Sequence, residues 1–167
     1  RILYYKMQTK KKKKIGYLNT KGEKIIEPKF NMGSEFYDDY ANVIKDAANK
    51  VKVQGTYPTG NSLADQLKVV ARLIGGGLKT RIYMVNIGSF DTHANQVVGN
   101  ATDTGTHAVL LQKVSDGIKA FMDDLKAMGV SKRVAGMTFS EFGRRTKSNA
   151  GGGTDHGAAA PVIVFGD

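Results

Sequence analysis

A strongly periodic helix between two apolar runs constrains this chain more than any other feature. Apolar residues recur at three- and four-residue spacings up to Gly129, a pattern typical of an amphipathic helix. The predicted apolar face is Leu110, Leu111, Val114, Ile118, Phe121, Leu125 and Met128. The runs RIYMVNIG, residues 81–88, and RVAGMTF, residues 133–139, flank the helix and have the composition of buried strands. Two strands joined by a helix predict a right-handed crossover in a parallel sheet.

Each predicted strand is followed by a loop that carries acidic and imidazole side chains. SFDTHANQ, residues 89–96, follows the first run, and SEFGRRTKSNAGGGTDHG, residues 140–157, follows the second. The carboxyl ends of parallel strands meet at one edge of a sheet, where ligands bind in open α/β folds. The side chains that we expect to meet there are Asp91, His93, Glu141, Asp155 and His156.

This set of side chains predicts a metal site. Carboxylates and imidazoles suit zinc, manganese or another first-row divalent ion. Calcium fits less well, since it prefers oxygen ligands. The chain has no cysteine, so thiolate ligands and disulfides are excluded. The competing interpretation is a solvated surface loop, and single Asp-x-His or Asp-His pairs do not distinguish the two.

Other polar residues leave alternatives open. Arg144 and Arg145 could neutralise an oxyanion bidentately, with Arg144 as the candidate catalytic residue, or they could form an ordinary basic surface patch. His107 lies at the start of the periodic helix and is either a group near the metal or a capping or partly buried histidine. No serine has the sequence context of a nucleophile elbow, so serine-triad hydrolysis is unsupported.

The N-terminal 32 residues differ from the rest in charge. The formal net charge of the chain is +10, of which residues 1–32 carry +8 and the remainder only +2. The run Lys10 to Lys14 dominates this basic leader. No aromatic interleaving or nucleic-acid motif accompanies it, so we expect a solvated charge block and no nucleic-acid partner. Residues 1–14 are expected to be mobile or to contact a partner.

The segment IGYLNTKGEKIIEPKF, residues 15–30, predicts a β-hairpin around a turn that ends in Gly22. It resembles a single WG repeat, although Ile15-Gly16 stands where that repeat has Trp-Gly. We therefore expect a boundary that separates residues 1–32, the leader and hairpin, from residues 33–167. Within the second part, helices are predicted from Ser34 to Val51 and after a cap at Asn61 or Ser62, with an apolar face of Leu63, Leu67, Val70, Ala71 and Ile74.

The order helix, helix, strand, helix, strand, loop, strand predicts an α/β fold with part of a doubly wound, mostly parallel sheet. The third strand is the run at 161–165. Three strands with their helices make half of such a sheet, which indicates a piece of a larger protein. No apolar run is long enough to span a bilayer.

Three blocks of the chain resemble the C-terminal half of the domain of unknown function 1501 family. The blocks are FDTHANQ, SEFGRR and GTDHG, within a similarity that covers about residues 34–167. That family is placed with the alkaline phosphatase and sulfatase superfamily. The resemblance implies an alkaline-phosphatase-like sheet with Asp91, His93, Glu141, Asp155 and His156 as metal ligands. Glu141 stands where many relatives have an Asp-His pair, so its role is the least certain of the five.

The resemblance also implies a function. We expect a metal-dependent hydrolase of small anionic phosphate or sulfate esters, whose nucleophile and one further metal carboxylate belong to an N-terminal half outside this chain. The alternative is a non-catalytic metal-binding or surface-assembly protein on the same fold. Many family members carry twin-arginine signals and are bacterial, so the resemblance implies export to the periplasm or cell surface.

Overall fold

A computed structural model describes residues 2–9, 12–19, 21, 23–30, 47–99 and 101–167 of the chain. The N-terminal part is a three-stranded antiparallel sheet. Its strands are β1 (Ile2–Thr9), β2 (Lys12–Asn19) and β3 (Lys24–Phe30), in the spatial order β1-β2-β3. The strands β2 and β3 pair in antiparallel register where a hairpin was predicted, and the likeness to a WG repeat stays a prediction.

Residues 2–9 and 12–14 of the leader, which we expected to be mobile or to contact a partner, lie in strands of this sheet. Residues of β1 pair with β2 along the whole strand, from Ile2 opposite Asn19 to Thr9 opposite Lys12. The sequence ILYYKMQT is rich in aromatic and β-branched residues, which favour strands, and it supplies a partner for the lysine-rich start of β2. The described residues of the leader are therefore part of the sheet.

The helix α1 (Ser62–Gly75) begins at the predicted cap. The Asn61 side chain accepts a hydrogen bond from the Ala64 N–H at 3.3 Å, which satisfies one of the free donors of the first turn. All five residues of the predicted apolar face are buried. The helix predicted from Ser34 to Val51 lies largely outside the described residues. Its described residues 47–50 are helical.

The helix α2 (Thr106–Ala127) is the predicted periodic helix and packs on α1. Asn61 Nδ2 donates to Lys113 O at 2.7 Å, and further along the two helices Gly75 lies beside Met128. The helices therefore run in the same direction. Their shared core consists of Leu63, Leu67, Val70, Ala71, Ile74, Val114, Phe121 and Leu125. Leu111 of the predicted face is an exception, at 45% exposed.

Residues 81–88 are extended but form no strand ladder with any described residue. Alternate side chains, Tyr83, Val85 and Ile87, pack against the helical core. The Gln66 side chain hydrogen bonds to both backbone groups of Asn86, as a neighbouring strand would. The predicted buried strand is therefore corrected: burial alternates along the segment, and the predicted strand pairing is missing among the described residues.

The predicted parallel sheet is wrong for the described residues. The strand β4 (Ala135–Met137) pairs with β7 (Val164–Gly166) in antiparallel register, with Gly136 opposite Phe165. The chain between β4 and β7 contains β5 (Gly143–Ser148) and β6 (Thr154–Gly157), which form a second antiparallel pair. A parallel pair needs a crossover connection, and the chain between β4 and β7 returns as a hairpin instead. The described fold is mixed α and β with small antiparallel sheets.

Residues 81–88 and the β4–β7 pair expose apolar side chains. Ile82 and Met84 are 86% and 80% exposed, on the side of their segment that faces away from α1 and α2. Met137 and Val164, at the paired ends of β4 and β7, are also exposed, at 61% and 74%. Among the described helices, none combines the length and apolar character that a membrane crossing requires.

Candidate metal centre

The loop at 89–96 and the β5–β6 hairpin lie against each other. Ala94 forms an antiparallel bridge with Gly152, and Asn95 N and Gln96 N donate to Gly151 O and Gly152 O at 3.1 and 3.0 Å. The two loops that sequence patterns predicted to meet are thus in contact. One antiparallel bridge and two backbone hydrogen bonds join the loops. The sequence prediction instead placed both loops at the edge of a parallel sheet.

Gly153 lets the two loops approach closely. A Cβ atom at this position would lie 2.3 Å from both C and O of His93, far inside van der Waals contact. Asn149 adds a further connection, since its Nδ2 donates to His93 O at 2.9 Å while its Oδ1 accepts from Gly151 N and Gly153 N. The GGG triplet and the asparagine before it therefore hold the backbone of His93 in place.

Arg144 connects the same loops from the other side. Its guanidinium donates to the backbone oxygens of Phe90, Thr92 and Thr154 and to the Thr154 hydroxyl. The side chain is only 14% exposed. This geometry favours a role in positioning the Asp91 loop, and oxyanion binding by Arg144 stays a prediction.

Three predicted ligands converge at the junction of the two loops. Asp91, His93 and His156 each offer a ligand atom, and these atoms all lie within 4.8 Å of one another. His93 Nε2 and His156 Nε2 lie 2.9 and 2.8 Å from the same Asp91 oxygen, Oδ1. Two ligands bound at about 2.1 Å in tetrahedral geometry are about 3.4 Å apart, so each histidine must move about half an ångström from Asp91 Oδ1 to admit an ion.

Aromatic stacking orients the second histidine. The His156 ring lies on Phe142, with ring centroids 4.1 Å apart and an interplanar angle of 14°. Arg144 lies over the same phenyl ring at 5.4 Å. Asp91, His93 and His156 are each about half exposed, so a solvent-borne ion or substrate has access.

The acidic residues of the site are stabilised in their charged form. A hydrogen bond with His156 lowers the pKa of Asp91, and the proximity of His93 and Arg144 lowers it further. A hydrogen bond from Asn149 lowers the pKa of Asp155, to which His93 and Arg145 also contribute. Both carboxylates are therefore ready to act as acceptors or ligands at neutral pH.

The other predicted site residues lie outside this cluster. Glu141 is exposed in the bend before β5 and does not join the three convergent ligand atoms. Asp155 Oδ1 lies 3.5 Å from His93 Nδ1, the ring nitrogen that faces away from Asp91. His107 is partly buried, with its ring edge on Phe90 and no partner for Nδ1 among the described residues. Burial lowers the pKa of His107, and nearby Arg144 adds to this effect.

Sequence reasoning missed the residues that assemble the site. Asn149, Phe142 and Gly153 carry no catalytic signature, and their partners lie far away in sequence, as with Asn149 and His93. One signal was available: an asparagine followed by a glycine triplet predicts a tight turn whose side chain bonds backbone N–H groups.

The fold and site together define a mixed α and β domain in which two loops hold two imidazoles and one carboxylate around a common point. The profile of a family described as protein of unknown function (DUF1501) matches residues 12–166. The chain belongs to the DUF1501 family. The match begins inside the predicted leader, and the boundary at residues 32 and 33 stays a prediction. Neither the curated proteins nor the solved structures include a significant match.

Proposed function

We propose that Asp91, His93 and His156 bind a divalent metal ion and that the site belongs to a hydrolase of phosphate or sulfate esters. The observation that carries the proposal is the convergence of both Nε2 atoms on Asp91 Oδ1. Two imidazoles and one carboxylate suit zinc or manganese better than calcium. A divalent ion with three protein ligands and an open position can polarise an ester oxygen and activate water.

The electrostatics of the site support an anionic substrate. Arg145 is 67% exposed beside Asp155, so its donors are accessible to solvent in a way that those of Arg144 are not. A guanidinium suits phosphate or sulfate oxygens, so exposed Arg145 is the candidate cation for an anionic ester. The ester class itself comes from the family resemblance and its superfamily.

Metal binding and turnover should separate in this chain. Two hydroxyls close to the triad in sequence are already engaged or inaccessible: Thr92 Oγ1 is buried and Thr154 Oγ1 is bonded to Gln96. Neither is placed to attack an ester at the ion. Without a nucleophile, positioning and charge stabilisation give little rate.

Calorimetric titration of zinc and manganese into chelator-treated protein tests this proposal, with an assay of nitrophenyl phosphate and nitrophenyl sulfate beside it. We expect binding that is lost in Asp91→Ala, and no measurable hydrolysis. Robust turnover that a chelator abolishes would place the nucleophile within the chain. Absence of binding by the wild type would overturn the metal site.

We also propose that the exposed apolar side of residues 81–88 and of the β4–β7 pair is covered by the N-terminal half of the family domain. Two observations support it. Ile82 and Met84 are almost fully exposed, and of residues 81–88 only Asn86 has bonded backbone groups among the described contacts. Buried parallel strands are covered on both faces, and an uncovered extended segment invites another strand.

Hydrogen exchange tests this covering. An N-terminal half from a DUF1501 protein, supplied as a separate polypeptide, should protect the amides of residues 81–88. The double variant Ile82→Lys and Met84→Lys should remove the protection, whereas Val109→Lys, at an exposed position of α2, should not. Equal exchange with and without the added polypeptide would contradict the proposal.

A further inference from the structure

The two ring nitrogens of His93 face two different carboxylates. Nε2 lies 2.9 Å from Asp91 Oδ1, within the cluster of convergent ligand atoms. Nδ1 lies 3.5 Å from Asp155 Oδ1, on the other side of the ring. The lone pairs of an imidazole point in divergent directions, so a group beside Nδ1 cannot share the ion that Nε2 binds. The geometry thus separates the roles of the two aspartates.

The Asp155 carboxylate is itself held by neighbouring side chains. Asn149 Nδ2 donates to Asp155 Oδ1 at 3.0 Å, and the same nitrogen donates to His93 O at 2.9 Å. Arg145 Nη1 lies 3.9 Å from the other carboxylate oxygen, Oδ2. One asparagine amide therefore connects the backbone of His93 with the carboxylate that faces its ring. Turning Asp155 toward the ion would break the hydrogen bond from Asn149.

We infer that Asp155 is a positioning residue that keeps the proton of His93 on Nδ1 and thereby presents Nε2 to the metal ion. This inference rests on the proposed metal binding, and it assigns to Asp155 a role other than that of a ligand. A neutral imidazole donates from one nitrogen and coordinates through the other, and the partner of the first sets the tautomer. Asn149 fixes the direction of the Asp155 carboxylate by a hydrogen bond, so its effect on the ion passes through Asp155 and His93.

Zinc titration calorimetry of the full chain compares the wild type with variants of the positioning residues. Loss of a hydrogen-bond partner of a coordinated histidine weakens metal binding by roughly 10- to 100-fold, which we expect for Asp155→Ala. Asp155→Asn keeps an acceptor for Nδ1–H and should recover part of the affinity. Asn149→Ala should weaken binding less than Asp155→Ala. The matched control Asp103→Asn removes one exposed carboxylate away from the triad and should leave affinity unchanged.

Two spectroscopic readouts separate positioning from ligation and from general destabilisation. In the cobalt-substituted protein, Asp155→Ala should keep the visible spectrum of the wild type, because the same three ligands remain. Long-range proton–nitrogen NMR of the zinc-loaded wild type should show His93 protonated at Nδ1 and coordinated through Nε2. In Asp155→Ala the Nδ1–H resonance of His93 should shift, because its carboxylate neighbour is gone, while Nε2 stays coordinated.

Each outcome has a distinct meaning. Equal zinc affinity of the wild type and Asp155→Ala, with unchanged His93 resonances, would overturn the inference and leave the proposed metal site intact. A changed cobalt spectrum in Asp155→Ala would overturn it by showing that Asp155 is a ligand. Failure of the wild type to bind zinc would overturn the proposed function and this inference with it.

Discussion

At the residue scale, the three histidines of the chain occupy different surroundings. His156 is fixed by Asp91 and by stacking on Phe142, and His93 is fixed through its backbone and both ring nitrogens. His107 is partly buried beside Phe90 and lies outside the cluster of ligand atoms. Of the three histidines, only His93 and His156 can therefore bind the same ion.

Replacing His156 and His107 should therefore have unequal effects on zinc affinity. His156→Ala removes a ligand and should cost more than the roughly 10- to 100-fold that loss of an outer hydrogen-bond partner costs. His107→Ala should leave affinity within a few-fold of the wild type. Calorimetric titration of both variants measures this, and equal losses would contradict the assignment of the triad.

Acid should remove the contribution of Asp91 to the stability of the metal-free protein. The hydrogen bond with His156, together with His93 and Arg144, makes the pKa of Asp91 lower in the folded state than in the unfolded chain. A lowered carboxylate pKa contributes stability above the unfolded value, about 3.9, and that stability is lost as the pH falls through the folded pKa. The melting temperatures of the wild type and Asp91→Asn should differ near neutral pH and converge in acid. A difference that grows as the pH falls below about 4 would be inconsistent with this sign.

The sequence identified the residue types of the site and could not assign their roles. Asp91, His93 and His156 were predicted as ligands from loop placement alone, and they converge. Whether Asp155 faces Nδ1 or Nε2 of His93 depends on backbone geometry that adjacent residue letters do not encode. The partners of Arg144 are backbone oxygens, which have no signature in sequence.

At the element scale, the approach of the β5–β6 hairpin to the 89–96 loop depends on Gly153. Gly153→Ala would place Cβ against His93 C and O, so the loops must separate and the triad should open. We expect zinc affinity to fall by about tenfold or more, comparable to loss of a positioning contact. Gly151→Ala is the matched control, because its nearest neighbour would be Asn149 Oδ1 at 3.4 Å. Equal affinities of the two variants, measured by zinc titration, would contradict the proposed role of this contact.

The helix α2 is connected to the segment before α1 through a buried carboxylate. Asp124 is fully buried, and it accepts hydrogen bonds from Gln54 N, Gly55 N and the Tyr57 hydroxyl at 2.8, 3.0 and 3.0 Å. Burial beside Asp124 raises the pKa of Tyr57, so the phenol stays protonated as a donor.

Substitutions in this network should lower the free energy of unfolding. Asp124→Ala leaves buried donors without partners and should cost about 3 kcal/mol, whereas Tyr57→Phe removes one hydrogen bond and should cost about 1 kcal/mol. The neighbouring Asp123 pairs with Lys119 on the surface, so Asp123→Ala should cost less than about 1 kcal/mol. Chemical denaturation measures all three, and a similar cost for Asp123→Ala and Asp124→Ala would contradict the account.

Local elements were predicted more completely than their pairing. The N-cap of α1 and the apolar faces of α1 and α2 follow from residues within a few positions of one another, so the sequence contains the information. The run at 81–88 was predicted as a buried strand, but only Tyr83, Val85 and Ile87 pack on the core, while Ile82 and Met84 are exposed. The partner of a strand is set by long-range contacts, and here the predicted parallel pairing between this segment and β4 does not form. β4 pairs with β7 through the returning hairpin.

At the scale of the whole molecule, the helices α1 and α2 pack against residues 81–88 and against β7, whose side chains on the opposite side are apolar and exposed. The same elements position the two loops, so the site does not need a closed sheet for its convergence. The basic charge is concentrated in the N-terminal 32 residues, away in sequence from the site.

The location of a bound ion tests the central claim most directly. A crystal of the full chain grown with zinc, with anomalous diffraction recorded at the zinc absorption edge, shows where the ion lies without assumptions about function. The account predicts a peak about 2.0 to 2.2 Å from Asp91 Oδ1, His93 Nε2 and His156 Nε2. A protein crystal that contains no zinc at this position, or zinc bound through His93 Nδ1 and Asp155, would contradict it.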